Sequence, residues 1–327
     1  MMSRPRRAAT LFSPNTGALP AVLIFCFTAQ WAVADTTADA HKWLIGMSKA
    51  LQSLSYEGVF VHRSDDQLTA MKVLHLAGEQ GEYERLTTLT GELREIVHRS
   101  GYLAPGVQTV AGGGSRSGVV EALKEIANYY RLTLSDNDRV AGRPAQIIVI
   151  TPRDDYRYGY RLWLDEATGL LLKSDLLALN GQVIEQVMFT SLSLRADEHR
   201  DDAEVVENIP VNGAAKDTPF PSHTPPEPPP GWTIGHVPEG FSLMMVQPVA
   251  NGHNAHHMIY TDGLASVSVF VEVSPTSDDN SFVGISRMGA VSAFGELMNG
   301  HQVTVVGEVP ETTVKMIGES IHYSGLD

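Results

Sequence analysis

One cysteine, Cys26, is all the thiol chemistry the chain holds, and it lies in a segment that reads as removable. Without Cys26 the remainder can form no disulfide and offers no thiol nucleophile. Cation is scarce as well: 24 Lys and Arg stand against 38 Asp and Glu, a net charge of −14. A chain this anionic is a poor general binder of nucleic acid and is not drawn to anionic membrane surfaces, so nucleic acid is set aside as a partner. Signature motifs of catalysis are missing. There is no Gly-x-Ser-x-Gly, no Ser-x-x-Lys with its companion motifs and no His-Glu-x-x-His. The glycine-rich run Ala111–Gly118 lacks a following Gly-Lys-Ser/Thr and does not fit Gly-x-Gly-x-x-Gly. It reads as a loop, and no cofactor is implied.

Long apolar runs are absent too. The longest, Ala18–Trp31, is short for a membrane span and has no basic stop beyond it. Arg4, Arg6 and Arg7 precede it and Ala32-Val33-Ala34 follows, the pattern of a signal peptide over residues 1–34 cleaved after Ala34. A lipoprotein signal is rejected, because Phe25 before Cys26 is not small. Losing the three arginines takes the net charge from −14 to −17.

What is present is strand. Gly159–Leu194 holds three runs rich in Leu, aromatic and β-branched residues, joined by Asp165–Gly169 and by Asn180-Gly181. Asn-Gly predicts a type I′ hairpin turn, and connections this short join only antiparallel strands. Upstream, Ala38–Leu54 carries Trp43, Leu44, Met47, Leu51 and Leu54 at helical spacing. Strand signals follow at 56–62, 71–77, 83–89 and 93–99, then a short helix at 119–129 and strands at 130–135 and 146–151. The fold class indicated is α+β, mainly antiparallel β: a wide sheet over helices for residues 35–213, curling as wide sheets do. Strand alternation nominates Phe60, Leu74, Leu162, Leu164 and Phe189 as lining of an apolar concavity, a place for an acyl chain or apolar peptide.

Residues 214–231 are dense in proline and predict an extended spacer that holds two modules apart. A smaller antiparallel-sheet module then spans 232–327. Strands are expected at 242–247 and 257–261, with Asp262-Gly263 as a second type I′ turn into Leu264–Val273. In that run Ala265, Val267, Val269, Val271 and Val273 share one face, with Leu264 and Phe270 on the wetter one. Ser286–Met298 suits strand or helix, His301–Val309 reads as strand, and Pro310–Ile321 as helix.

Other candidate groups have plain readings. His253, His256 and His257 read as solvated loop histidines, and no metal site is assigned. Asp154-Asp155 and Asp201-Asp202 read as solvated loop carboxylates, Met244-Met245 as packing, and Tyr156, Tyr158 and Tyr160 as a packed stripe. No catalytic residue is assigned, and a hydrolase reading has no nucleophile–base pair behind it.

Several stretches resemble the MucB/RseB family, periplasmic negative regulators of an envelope-stress sigma factor. They include Leu54-Ser55-Tyr56-Glu57-Gly58-Val59-Phe60-Val61, Asp138–Ala145, Gly159–Asp175, Val237–Phe241, Tyr260–Leu264 and Val306–Pro310, within a likeness running from about Trp43 to Ile321. The segment Ser100–Gly106 looks shorter than the family's counterpart. The resemblance implies an N-terminal half-barrel similar to LolA-type carriers and a C-terminal domain that contacts the periplasmic part of an RseA/MucA-like anti-sigma factor. It implies that binding shields this partner from proteolysis, and that a lipid or lipoprotein effector triggers release. It leaves room for a homo-oligomer, and its rival is a lipid carrier with no regulatory partner.

Overall fold

The computed structural model describes residues 36–78, 81–99, 125–195, 226–248, 255–273 and 281–325. Asp35–Asp327 is one compact unit. It opens with α1 (Thr36–Ser53), whose Ala40, Leu44, Met47 and Leu51 recur every three or four residues and are buried on one face. Nine antiparallel strands form the first sheet: β1 (Tyr56–Ser64), β2 (Gln67–Gly78), β3 (Gly81–Thr88), β4 (Glu95–Arg99), β5 (Tyr130–Val140), β6 (Arg143–Pro152), β7 (Gly159–Asp165), β8 (Leu171–Leu177) and β9 (Val183–Leu194). Their order is β4-β3-β2-β1-β9-β8-β7-β6-β5, so two meanders meet where β1 pairs with β9.

The sheet rolls. Four strand spacings separate β5 from β9, about 19 Å if flat, yet their Cα atoms come within 8 Å. Register shifts at Val59/Phe60, Ser135/Asp138, Trp163/Leu164 and Leu176/Leu177 are bulges, which add local twist. The main core gathers α1 with Tyr56, Phe60, Val73, Leu132, Ile148 and Leu164. Trp163, alternating with Leu162 and Leu164, instead joins Val140 and Leu172 in a smaller cluster.

The C-terminal part is a six-stranded antiparallel sheet of β11 (Ser242–Pro248), β12 (His256–Thr261), β13 (Ser266–Val273), β14 (Gly284–Met288), β15 (Val291–Met298) and β16 (His301–Gly307). Its order is β11-β12-β13-β16-β15-β14. A separate pair joins β10 (Trp232–Ile234) to β17 (Ile321–Tyr323). Helix α2 (Glu311–Glu319) starts after Pro310 and packs its Val314, Ile317 and Gly318 on the sheet. The predicted alternation is realised from Ser266 to Val271, where Val267, Val269 and Val271 are buried and Ser266, Ser268 and Phe270 half-buried on the other face, but Val273, expected on the buried face, is exposed at the strand end. The α+β class with antiparallel sheets is as the sequence indicates. The ambiguous stretch Ser286–Met298 is a hairpin, turned at Gly289-Ala290 with Gly289 at φ 59°, as a type II′ turn requires.

Three expectations need correction. Asn180 is not left-handed. Only Gly181 is, at φ 80°, while Gly181 N–H donates to Ala178 O and Ala178 N–H to Gln182 O, which makes a three-residue bulged loop. At Asp262-Gly263 only Gly263 is left-handed, and the Asp262 carboxylate accepts the N–H groups of Leu264 and Ala265. Side-chain acceptance has replaced the I′ backbone geometry. The two modules are also not held apart, since they meet along a buried seam. Proline fixes its own φ and does not dictate where flanking modules dock. Residues 214–225 of the proposed spacer lie outside the described residues, as do residues 1–34, Ser100–Gly106, Ala111–Gly118, Asp201-Asp202 and His253.

True type I′ pairs occur at Ala141-Gly142 (φ 49° and 77°) and Asn299-Gly300 (φ 50° and 77°). Alanine tolerates that region poorly. Ala141→Asn is therefore expected to stabilise by about 0.5 kcal/mol, raising the melting temperature by about 1–2 °C in a thermal scan. A fall would contradict the turn assignment.

Candidate functional site

The seam is built on the connection between β6 and β7, residues 153–158. Arg157 is fully buried there although it belongs to no strand. One guanidinium nitrogen donates to Asp262 Oδ2 at 2.6 Å, another to the main-chain oxygen of Glu239 at 2.6 Å, and Nε to Asp154 at 3.1 Å. Its carbon lies 5.2 Å from the Tyr129 ring centroid, 5.4 Å from Tyr130 and 5.1 Å from Phe241, so aromatic faces cover the remaining surface. The Tyr130 hydroxyl donates to the same Asp262 oxygen at 2.8 Å. Burial first, and then the adjacent Asp262 charge, push the Tyr130 pKa well above its ordinary value. Asp262 Oδ1 accepts Leu264 N–H at 2.8 Å and Ala265 N–H at 2.7 Å. Its carboxylate thus accepts four bonds, and the tyrosine stays a proton donor.

Two further polar contacts lie along the seam. Thr313 Oγ, at the start of α2, donates to Tyr156 O at 2.6 Å, and Thr312 Oγ to Asp155 O at 3.2 Å. At the other contact, Glu185 Oε1 accepts from Ser64 Oγ at 2.9 Å and from Ala290 N–H at 3.4 Å, with His62 Nε2 3.5 Å from its Oε2. The His62 bond leads in lowering the Glu185 pKa, although burial opposes it. Glu308, at the end of β16, has its pKa raised, chiefly by burial and next by Glu185.

The signs follow from linkage. Glu308 binds its proton more tightly folded than unfolded, so its ionisation destabilises the fold, and that penalty fades as pH falls below the raised value. Glu185 is the reverse, and its contribution is lost as pH drops from 4.5 through its lowered pKa. Glu308→Gln is expected to raise the melting temperature at pH 7 and to lose that advantage near pH 4. Scans at both pH values check this, and an equal effect at both would contradict it.

Of the residues nominated from sequence, Phe60, Leu162 and Leu164 lie in the first core, with Phe189 packed against it. Phe60 and Phe189 meet edge-on, ring centroids 5.9 Å apart. Leu74 is a correction. It pairs with Glu57 and Arg85, while its neighbour Val73 pairs with Gly58 and Leu86, so Leu74 points to the opposite side of the sheet from Phe60.

Asp154 is likewise half-buried and bound to Arg157, not a free loop carboxylate. His256 and His257 are in β12. His257 stacks on Phe270 with centroids 4.2 Å apart and lies 2.9 Å from Ser268 Oγ, and burial lowers its pKa. Met244 is exposed on the edge strand β11. Tyr158 and Tyr160 are buried, as a packed stripe implies, but precede or enter β7 without alternating along one strand with Tyr156. Among the described residues no group of three His, Cys, Asp or Glu side chains is placed to hold a metal, and no helix is long and apolar enough to cross a membrane. The sequence reading passes over Arg157 and takes Asp262 only as a turn residue. The available signal was an arginine between two tyrosines in a connection longer than a turn.

Two antiparallel sheets, each carrying a core and joined along a buried seam: this defines a two-module α+β protein. Residues 39–209 match the MucB/RseB N-terminal domain and residues 226–322 the MucB/RseB C-terminal domain, and the chain belongs to the MucB/RseB family. Sigma factor AlgU regulatory protein MucB of Pseudomonas aeruginosa is 33% identical over 307 residues, which is 88% of this chain and 92% of that protein. Sigma-E factor regulatory protein RseB of Haemophilus influenzae is 29% identical over 300 residues, 87% of this chain and 91% of that protein. A solved complex of P. aeruginosa MucA and MucB superposes with a TM-score of 0.64 at 29% identity, covering 88% of this chain and 100% of that one.

Proposed function

We propose that this chain is a non-enzymatic periplasmic regulator, exported by the signal at residues 1–34. It binds the periplasmic part of a transmembrane RseA/MucA-like anti-sigma factor and shields it from proteolysis. A lipid or lipoprotein in the apolar interior of the N-terminal sheet, near Phe60, Leu162, Leu164 and Phe189, releases the partner. The observation that carries this reading is likeness along nearly the whole chain to a MucB solved in complex with MucA. A seam whose acceptors and donors are committed to holding, as at Asp262, is consistent with a binding role. Release needs only that effector and partner prefer different states of the protein, and the coupling is then reciprocal.

Calorimetric titration with the periplasmic segment of the host's anti-sigma factor tests the reading. Binding at micromolar concentration or tighter, about −8 kcal/mol or stronger, is expected, together with slower digestion of the segment by a site-one protease. No binding heat and unchanged digestion would contradict it. Lipid transfer between membranes with no such partner would favour the carrier reading.

A further inference from the structure

Two side chains of the C-terminal module do not belong to its own core. Leu264 and Ala290 are buried within the core of the N-terminal sheet, the one that holds Phe60, Leu162 and Leu164. Both sit on turns, Leu264 after Asp262 and Ala290 between β14 and β15. Each is fixed by a polar anchor at the seam: Asp262 by Arg157 and Tyr130, Ala290 N–H by Glu185.

We propose that Leu264 and Ala290 are an internal stopper in the apolar interior of the N-terminal sheet, one that an acyl chain displaces. This rests on the lipid-effector reading above and supplies its mechanism. The stopper is small, and an acyl chain of a dozen carbons offers several times its apolar surface for burial in the same interior. Withdrawal also parts the buried Arg157–Asp262 pair and uncovers the faces of Tyr129, Tyr130 and Phe241 around Arg157, a cost that the larger apolar surface of the acyl chain offsets. The C-terminal module also keeps its own separate core, including Val267, Val305 and Ile317, once withdrawn. Acyl chain and docked seam therefore exclude each other, and a partner that requires the docked arrangement is released when the chain enters.

A reversible lock tests this. A Cβ on Gly289 would lie 2.8 Å from Ser64 Oγ, which places Ser64→Cys and Gly289→Cys within disulfide reach across the seam, and residues 35–327 contain no other cysteine. The double variant of the chain from Asp35 is oxidised, disulfide formation is verified by mass, and dansylated undecanoic acid is titrated in with the labelled anti-sigma segment bound. Reduced protein is expected to take up the probe and release the segment. The oxidised protein should bind the probe at least about tenfold more weakly and retain the segment, with reduction restoring both. Leu264→Ala without the lock should tighten the probe about threefold. Identical probe affinity and release in oxidised and reduced protein would overturn the stopper and leave the effector reading standing. If wild-type protein neither takes up the probe nor releases the segment, the effector reading falls and the stopper with it.

Discussion

Arg157→Ala is expected to cost about 3–5 kcal/mol of unfolding free energy in urea melts, the loss that follows when one partner of a buried ion pair is removed. Both side chains of the Arg157–Asp262 pair are fully buried, at 2.6 Å. Removing the cation leaves a buried carboxylate held only by Tyr130 O–H and the N–H groups of Leu264 and Ala265, with its counter-charge gone. It also removes the surface on which Tyr129, Tyr130 and Phe241 stack. The double variant Arg157→Ala/Asp262→Ala should lose much less than the sum of the two single losses, because it leaves no uncompensated charge. Additive losses would show that the two residues do not act on each other.

Gly240→Val should cost about 2–4 kcal/mol, from two causes that reinforce one another. Gly240 sits at φ 89°, a region hostile to β-branched side chains. A Cβ there would also lie 2.6 Å from the Tyr129 ring, which is pinned against Arg157. Gly142→Ala is the control: φ is 77° but the space is open, so only the backbone penalty of about 1 kcal/mol applies. Equal losses in the two variants would mean that Tyr129 yields, and that the seam is looser than its contacts imply.

Much of the sheet was legible because strand period and turn residues are local signals. Val267, Val269 and Val271 declared their buried face by alternation alone. The Asp165–Gly169 loop did so through Gly169, which takes φ 78° beside the backbone of Gly46 in α1. Parity failed at Val73-Leu74-His75, where three successive residues are buried and the sequence offers no alternation. Only the ladder tells the sides apart: Val73 lies opposite Gly58, on the face of Tyr56 and Phe60, and Leu74 opposite Glu57. Turn types failed for a related reason. Asn180-Gly181 carries the strongest I′ pattern, but the flanking register closes a longer loop, while Ala141-Gly142 adopts I′ without an asparagine. The seam was the least legible. Arg157 and Asp262 lie 105 residues apart, and nothing in the neighbourhood of either specifies the other. Leu264 was assigned to a wet face because its parity follows β13, whereas it lies in the turn before that strand and is buried across the seam.

Spin labels on Ser193→Cys and Ser286→Cys, both exposed and on different sheets, would report the seam directly by pulsed distance measurement. The expected result is one narrow distribution for the free chain, a longer distance with dansylated undecanoic acid, and a return to the first when excess anti-sigma segment is added. A distribution that the acyl chain leaves untouched while it still drives the segment off would contradict a docked seam as the element that effector and partner compete to set.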